Sequence, residues 1–99
     1  MSKLTVAVDL EVEAASVHFQ DQLSDHVTSF GDSVNVDLNS DGHIVAVEFL
    51  SFRKLDRTRE ELKAMNPHGT AHEITAVEDA QLYLVETLSK ASLKKSFSE

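Results

Sequence analysis

The chain has 99 residues, a net charge of −8 and no cysteine. This length predicts one domain, residues 1–99, and the apolar fraction of 41% is enough to bury a core. The missing cysteines exclude a disulfide framework, a zinc–thiolate site and a cysteine nucleophile. The acidic charge disfavours binding to nucleic acid, because neutralising phosphates requires clustered lysine and arginine.

The sequence also predicts where the protein resides. No apolar run approaches the roughly 20 residues that span a bilayer, so we expect no membrane association. Residues 1–6 lack the apolar segment of a secretory signal. We therefore expect a cytoplasmic protein whose acidic surface suits a basic protein partner.

Alternating apolar and polar residues predict short strands in the first half of the chain. Alternation predicts strands at 4–8, 16–20 and 34–38, and further strands are predicted at 27–30 and 44–50. Because short polar connections separate them, the simplest topology is an antiparallel β-meander of three to five strands over residues 4–50. The last segment is apolar on both faces except at Glu48, which predicts a central strand.

Residues 51–99 predict the helical half of the domain. Good helix formers fill residues 55–65, and Thr58 with Glu61 matches a capping box, with Asp56 as an alternative N-cap. Asn66-Pro67-His68-Gly69 then predicts the end of this helix.

A second helix is predicted from a capping box at Thr75 and Glu78 to about Lys95. Its apolar residues share one face, as expected of a helix packed on a sheet. They are Val77, Ala80, Leu84, Val85 and Leu88. The predicted fold class is therefore α+β, with the antiparallel meander packed on C-terminal helices.

Residues 34–50 allow two interpretations that predict different functions. Their alternation around Asp41-Gly42 predicts two strands joined by a tight turn. The same residues match the calcium-loop pattern of an EF-hand at every position. Its candidate calcium ligands are Asp37, Asn39, Asp41, His43 and Glu48. Because glycine, asparagine and β-branched valines flank the loop where an EF-hand needs helices, we favour the hairpin and retain the calcium site as the alternative.

Residues 31–50, Gly-Asp-Ser-Val-Asn-Val-Asp-Leu-Asn-Ser-Asp-Gly-His-Ile-Val-Ala-Val-Glu-Phe-Leu, resemble the hallmark of a small prokaryotic family known only as a domain of unknown function. That family has a Val-x-Val-Asp-x-x-x-Asp-Gly-x-Ile/Leu-Val-Gly-Ile-Glu-Ile-Leu hairpin after a Tyr-Asp-x-Glu-x-Asp-Ala-Leu-Tyr-Ile-x-Phe segment. Residues 8–19 are similar to the upstream segment, with Val8 and Ser16 at its aromatic positions and Ala46 at the glycine of the hairpin.

The resemblance covers residues 4–50, about half of the chain. It implies a bacterial protein with an antiparallel meander and a C-terminal helix. It implies no established activity and no established cofactor. The half of the chain from Ser51 onward lies outside the resemblance.

Histidines are the other candidate metal ligands. His68 and His72 are four residues apart, the helical spacing for two metal ligands, but Pro67 and Gly69 place both in a predicted loop. Zinc requires at least three ligands, and no third is indicated. We interpret both histidines as solvated loop residues.

No pattern in the chain is typical of an enzyme. The acidic residues between Glu11 and Asp25 lie in predicted solvated turns, and the chain has neither a Gly-x-Ser-x-Gly elbow nor a glycine-rich phosphate loop. We expect no catalytic residues and no cofactor.

The sheet is expected to need a partner. Ile44, Ala46 and Leu50 are predicted on one face and Val45, Val47 and Phe49 on the other, whereas one pair of helices covers only one face. The expected function is a non-catalytic, homo-oligomeric interaction module, most simply a homodimer, in which a second copy covers the other face or an edge strand. The alternative is a small-ligand or calcium binder that uses residues 37–48.

Overall fold

The computed structural model describes the backbone of residues 4–97 and the side chains of residues 4–90. Five strands precede two helices, which confirms the predicted α+β class. The elements are β1 (Thr5–Asp9), β2 (Ala14–His18), β3 (His26–Phe30), β4 (Val34–Leu38), β5 (Ile44–Phe49), α1 (Arg59–Met65) and α2 (Ala71–Phe97). Neither helix has the length and apolar character needed to cross a membrane within the described part of the chain.

The five strands form one antiparallel sheet in the order β1-β2-β5-β4-β3. Strands β3, β4 and β5 follow one another as a meander, and the β1–β2 hairpin joins them because β2 pairs with β5. Residues 19–25 connect β2 to β3 past the end of the β4–β5 hairpin. Hydrogen bonds from Phe19 N to the Val45 carbonyl and from Asp25 N to the Leu38 carbonyl, both 2.8 Å, hold the two ends of this connection. Strand β5 is central, as its two-sided apolar pattern predicted.

The core lies between the helices and one face of the sheet. Val17, Val36 and Val47 occupy one row across β2, β5 and β4, and all three are fully buried. Val77 and Leu84 of α2 are fully buried in the same cluster. Burial of such side chains contributes about 1.5–3 kcal/mol each. Val85, predicted for this helix face, is instead 43% exposed.

A β-bulge changes the faces predicted for β5. Asp37 pairs with Ala46, whereas the next residue, Leu38, pairs with Ile44, so that Val45 is the extra residue. Ile44 therefore joins the core, and its predicted place on the face of Ala46 is wrong. One extra residue reverses the alternation of side chains beyond it.

Helix α1 begins as its capping box predicts. The Thr58 side chain accepts a hydrogen bond from Glu61 N, and the Glu61 side chain accepts one from Thr58 N. These reciprocal bonds satisfy two N–H groups that the first turn leaves free.

Helix α2 begins at Ala71, earlier than predicted, so the predicted start at Thr75 and Glu78 is wrong. The same Thr-x-x-Glu pattern occurs at residues 70–73. Glu73 N donates to Thr70 Oγ1 at 3.1 Å, and Thr70 N donates to Glu73 Oε1 at 2.8 Å. This earlier box includes Ile74 in the helix and in the core.

Candidate functional site on the polar face of the sheet

The face of the sheet opposite the core cluster presents polar side chains, which we call the polar face. Its central residues are Ser16, His18, Asn35, Asp37 and Glu48. Glu48 lies between Ser16 of β2 and Asn35 of β4 in the ladder, and Ala46 lies between His18 and Asp37. Asp37 and Glu48 are therefore diagonal neighbours on adjacent strands, within reach of each other's side chains.

Asp37 is the unusual residue of this face. It is only 9% exposed, and its Oδ1 atom has no hydrogen-bond partner among the described residues. Burial, a hydrogen bond with Glu48 and the negative charge of Glu48, in that order of size, together raise the pKa of Asp37 to about 7. The Asp37 carboxyl group therefore gains or loses its proton near neutral pH, far above the ordinary range of an aspartate.

The neighbouring polar side chains bond to each other. Ser16 Oγ lies 3.1 Å from His18 Nε2, and Asn35 Oδ1 accepts a 2.9 Å bond from Ser29 Oγ. His18 has no carboxylate partner on its other ring nitrogen among the described residues, so this pair lacks the orienting acid of a catalytic triad.

The five calcium-ligand candidates separate into two groups. Asp37 and Glu48 meet on the polar face, whereas Asn39, Asp41 and His43 lie in the turn. Asn39 Oδ1 accepts bonds from the backbone N–H groups of Asp41 and His43, 2.9 Å each, and Asn39 N donates to the His43 carbonyl at 2.9 Å. These atoms therefore build the turn of the predicted hairpin. Calcium binding by this set stays a prediction.

Gly42 completes this turn with a φ of 83°. Glycine adopts this left-handed conformation without the steric strain that a Cβ atom brings. The Asp-Gly pattern therefore serves backbone geometry here, as the hairpin interpretation predicts.

The two candidate loop histidines are placed differently from each other. His68 lies between the helices, but His72 lies in the first turn of α2, so its predicted loop position is wrong. His72 faces a groove of about 310 Å³, which His43, Phe19 and Asp79 also line. In the described part of the chain, no three histidine, aspartate or glutamate side chains are arranged to hold a metal ion.

The sequence analysis did not predict that the buried Asp37 and the half-buried Glu48 lie side by side on one face of the sheet. The residues were singled out, but as the first and last ligands of a calcium loop. Counting residues outward from the Asp41-Gly42 turn would have paired the strands that carry Asp37 and Glu48. The bulge at Val45 shifts that register by one residue.

Comparison with known proteins gives no relative. No protein-family model matches the chain, and neither a curated protein nor a solved structure matches it. The resemblance of residues 4–50 to a prokaryotic family stays a prediction.

Proposed function

We propose that the chain is a non-catalytic interaction module that forms a homodimer by pairing the outer edge of β1 with β1 of a second copy. The observation that supports the proposal is the edge itself. Strand β1 ends the sheet and pairs only with β2 among the described residues. An edge strand presents a row of backbone N–H and C=O groups that another strand can bind.

The opposite edge of the sheet is protected. Asn66 Nδ2 donates a 2.9 Å bond to the Ser29 carbonyl of β3, and acidic residues at Asp25 and Asp32 flank that strand. Charged flanks and capped carbonyls are ways in which proteins prevent strand addition. The asymmetry between the two edges favours β1 as the pairing surface.

The composition of β1 also supports strand addition. Residues 5–8 are Thr-Val-Ala-Val, which have neither charge nor proline, and threonine and valine are good strand formers. Such a sequence lacks the lysine or proline that commonly protects an edge.

A symmetric antiparallel pair centred on Ala7 fits the exposed residues. It places Leu4, 42% exposed, opposite Leu10 of the second copy, 67% exposed. It also places Asp9 opposite Thr5, so that the acidic residues at the end of β1 do not meet. A two-fold axis at Ala7 makes the interface self-complementary.

The first prediction is that Ala7→Lys prevents dimer formation. Ala7 is exposed, so lysine fits the monomer, but the symmetric pair would place two ammonium groups opposite each other. In sedimentation equilibrium at about 10 µM we expect the unmodified chain to be dimeric. The dimer dissociation constant of the variant should be at least about tenfold higher.

Ser29→Lys is the matched control, since Ser29 is an exposed residue of the other edge strand. It should leave the dissociation constant within about twofold. A monomeric unmodified chain, or equal weakening by both lysines, would refute the proposed edge.

We also propose a cytoplasmic location. The support is the lack of cysteine in an acidic domain of this size, because small domains of oxidising compartments often depend on disulfides.

A further inference from the structure

We propose that Asp37 and Glu48 form a receptor for an arginine side chain of a basic partner protein. This binding site is separate from the dimer edge. Strand β4 lies three strands from β1, roughly 14 Å at the usual strand spacing. Both sites can therefore be occupied at once.

Among the described side chains, no cation pairs with Asp37 or Glu48. Asp37 is nine-tenths buried with an unpartnered oxygen, and a second carboxyl group adjoins it. Buried carboxyl oxygens normally have a hydrogen-bond donor, and a buried charge normally has a counter-charge. Because Glu48 is only half-buried, a cationic donor that reaches it from outside would give the carboxyl pair the counter-charge that the described residues do not provide.

Four of the basic residues whose side chains the structure describes lie in other ion pairs. Arg53 pairs with Glu13, Arg59 with Glu78 and Lys90 with Glu86. Lys54 pairs with acidic residues of the α1 region. In the described part of the chain, none of the ion pairs involves Asp37 or Glu48.

A guanidinium group fits the site better than an ammonium group. It presents five N–H donors in a planar fork and can bond two carboxyl groups at once. The amide oxygen of Asn35 and the hydroxyl of Ser16 flank Glu48 in the ladder and offer further acceptors. The net charge of −8 attracts a basic partner over longer distances.

Proton linkage gives this site a distinctive signature. The pKa of Asp37 is raised to about 7, so binding a cation below that pH displaces a proton. The charged or titratable groups on the strands beside β4 include Glu48 of β5, His18 of β2, and His26 of β3, which lies opposite Leu38 and contacts Asp25. On the core side, Glu73 of α2 bonds Thr28 of β3. The affinity for a cation should therefore rise by at most about tenfold per pH unit up to about pH 7. Above that pH the affinity should be constant.

The test uses an octapeptide of alternating glycine and arginine as the probe, titrated into the full chain at low ionic strength. We expect binding at about pH 8, with NMR shift changes centred on β4 and β5. Asp37→Asn should weaken it about fivefold or more, because it removes the charge that the guanidinium contacts. It should also remove the pH dependence.

Asp32→Asn is the matched control, since it removes the same charge at an exposed turn residue and should change affinity less than about twofold. Val27→Lys is the second variant. Val27 is 52% exposed and lies opposite Asp37, so its lysine would occupy the site and weaken peptide binding without removing a carboxyl group.

Three results would overturn the proposal: no binding of the arginine peptide, equal weakening by both aspartate variants, or equal binding of a glycine–glutamine peptide. Each of these is independent of the dimer measurement, because the dimer is tested through Ala7.

Discussion

At the scale of residues, Asp37 is the side chain whose environment differs most from the usual one. Its strand alternates strictly, with Val34, Val36 and Leu38 on the core face. Asp37 must therefore project to the polar face, where Glu48 and its surroundings bury it. An acid in this position keeps its proton up to about pH 7, because burial disfavours the charged form.

The protonation of Asp37 predicts how stability depends on pH. Its folded pKa, about 7, lies above the ordinary value of 3.8, so the folded chain binds more protons than the unfolded chain between these values. Its contribution to the free energy of unfolding is complete below about pH 4 and is lost as the pH rises through 7. Asp37→Asn should therefore be more stable than the unmodified chain at about pH 8, by on the order of 1–2 kcal/mol.

Urea denaturation at about pH 5 and pH 8 measures this difference. The advantage of Asp37→Asn should be smaller at the lower pH, and Asp32→Asn should show no such trend. If Asp37→Asn were less stable than the unmodified chain at pH 8, the carboxylate would be stabilising, contrary to this explanation.

At the scale of elements, the β4–β5 turn depends on one buried amide. Asn39 is 5% exposed, its Oδ1 atom accepts two backbone bonds within the turn, and its Nδ2 atom donates to Gln22 of the β2–β3 connection. Asn39→Ala leaves these groups without partners. It should lower the free energy of unfolding by about 1–3 kcal/mol.

Ser40→Ala provides the comparison for Asn39, because Ser40 is exposed in the same turn. Chemical denaturation should show a change within about 0.5 kcal/mol. If calcium stabilised the unmodified chain and Ser40→Ala but not Asn39→Ala, that result would instead favour the calcium alternative for this loop.

The helix starts show where local patterns are insufficient. Residues 70–73 and 75–78 both match Thr-x-x-Glu, and a capping pattern alone does not choose between them. The choice depends on packing: the earlier start places Ile74 in the helix, where it is 1% exposed. Tertiary burial therefore decides a boundary that the local sequence leaves open.

At the scale of the whole molecule, the sequence predicted elements better than their arrangement. Apolar patterning located all five strands, with β5 indicated by a run that is apolar on both faces, and the Asp41-Gly42 turn predicted the β4–β5 hairpin. The pairing of β2 with β5 is a contact between residues about 30 positions apart, which no local pattern encodes. The bulge at Val45 likewise depends on the partner strand.

The sequence predicted only part of the candidate site, because the site also depends on pairing between strands. The calcium-loop pattern selected Asp37 and Glu48 because it fixes spacing along the chain, whereas the ladder brings them together by pairing across strands. The three candidates between them form the turn. Burial of Asp37 depends on neighbours from several strands, so sequence spacing could not reveal it.

The most direct test of the dimer is hydrogen exchange at the amides of β1, residues 5–9. In an antiparallel edge strand, alternate amides bond to β2 and the others point outward. We predict that the outward-pointing amides exchange slowly at high protein concentration and faster on dilution, and that Ala7→Lys exchanges rapidly at both. Rapid, concentration-independent exchange of those amides in the unmodified chain would contradict pairing through β1.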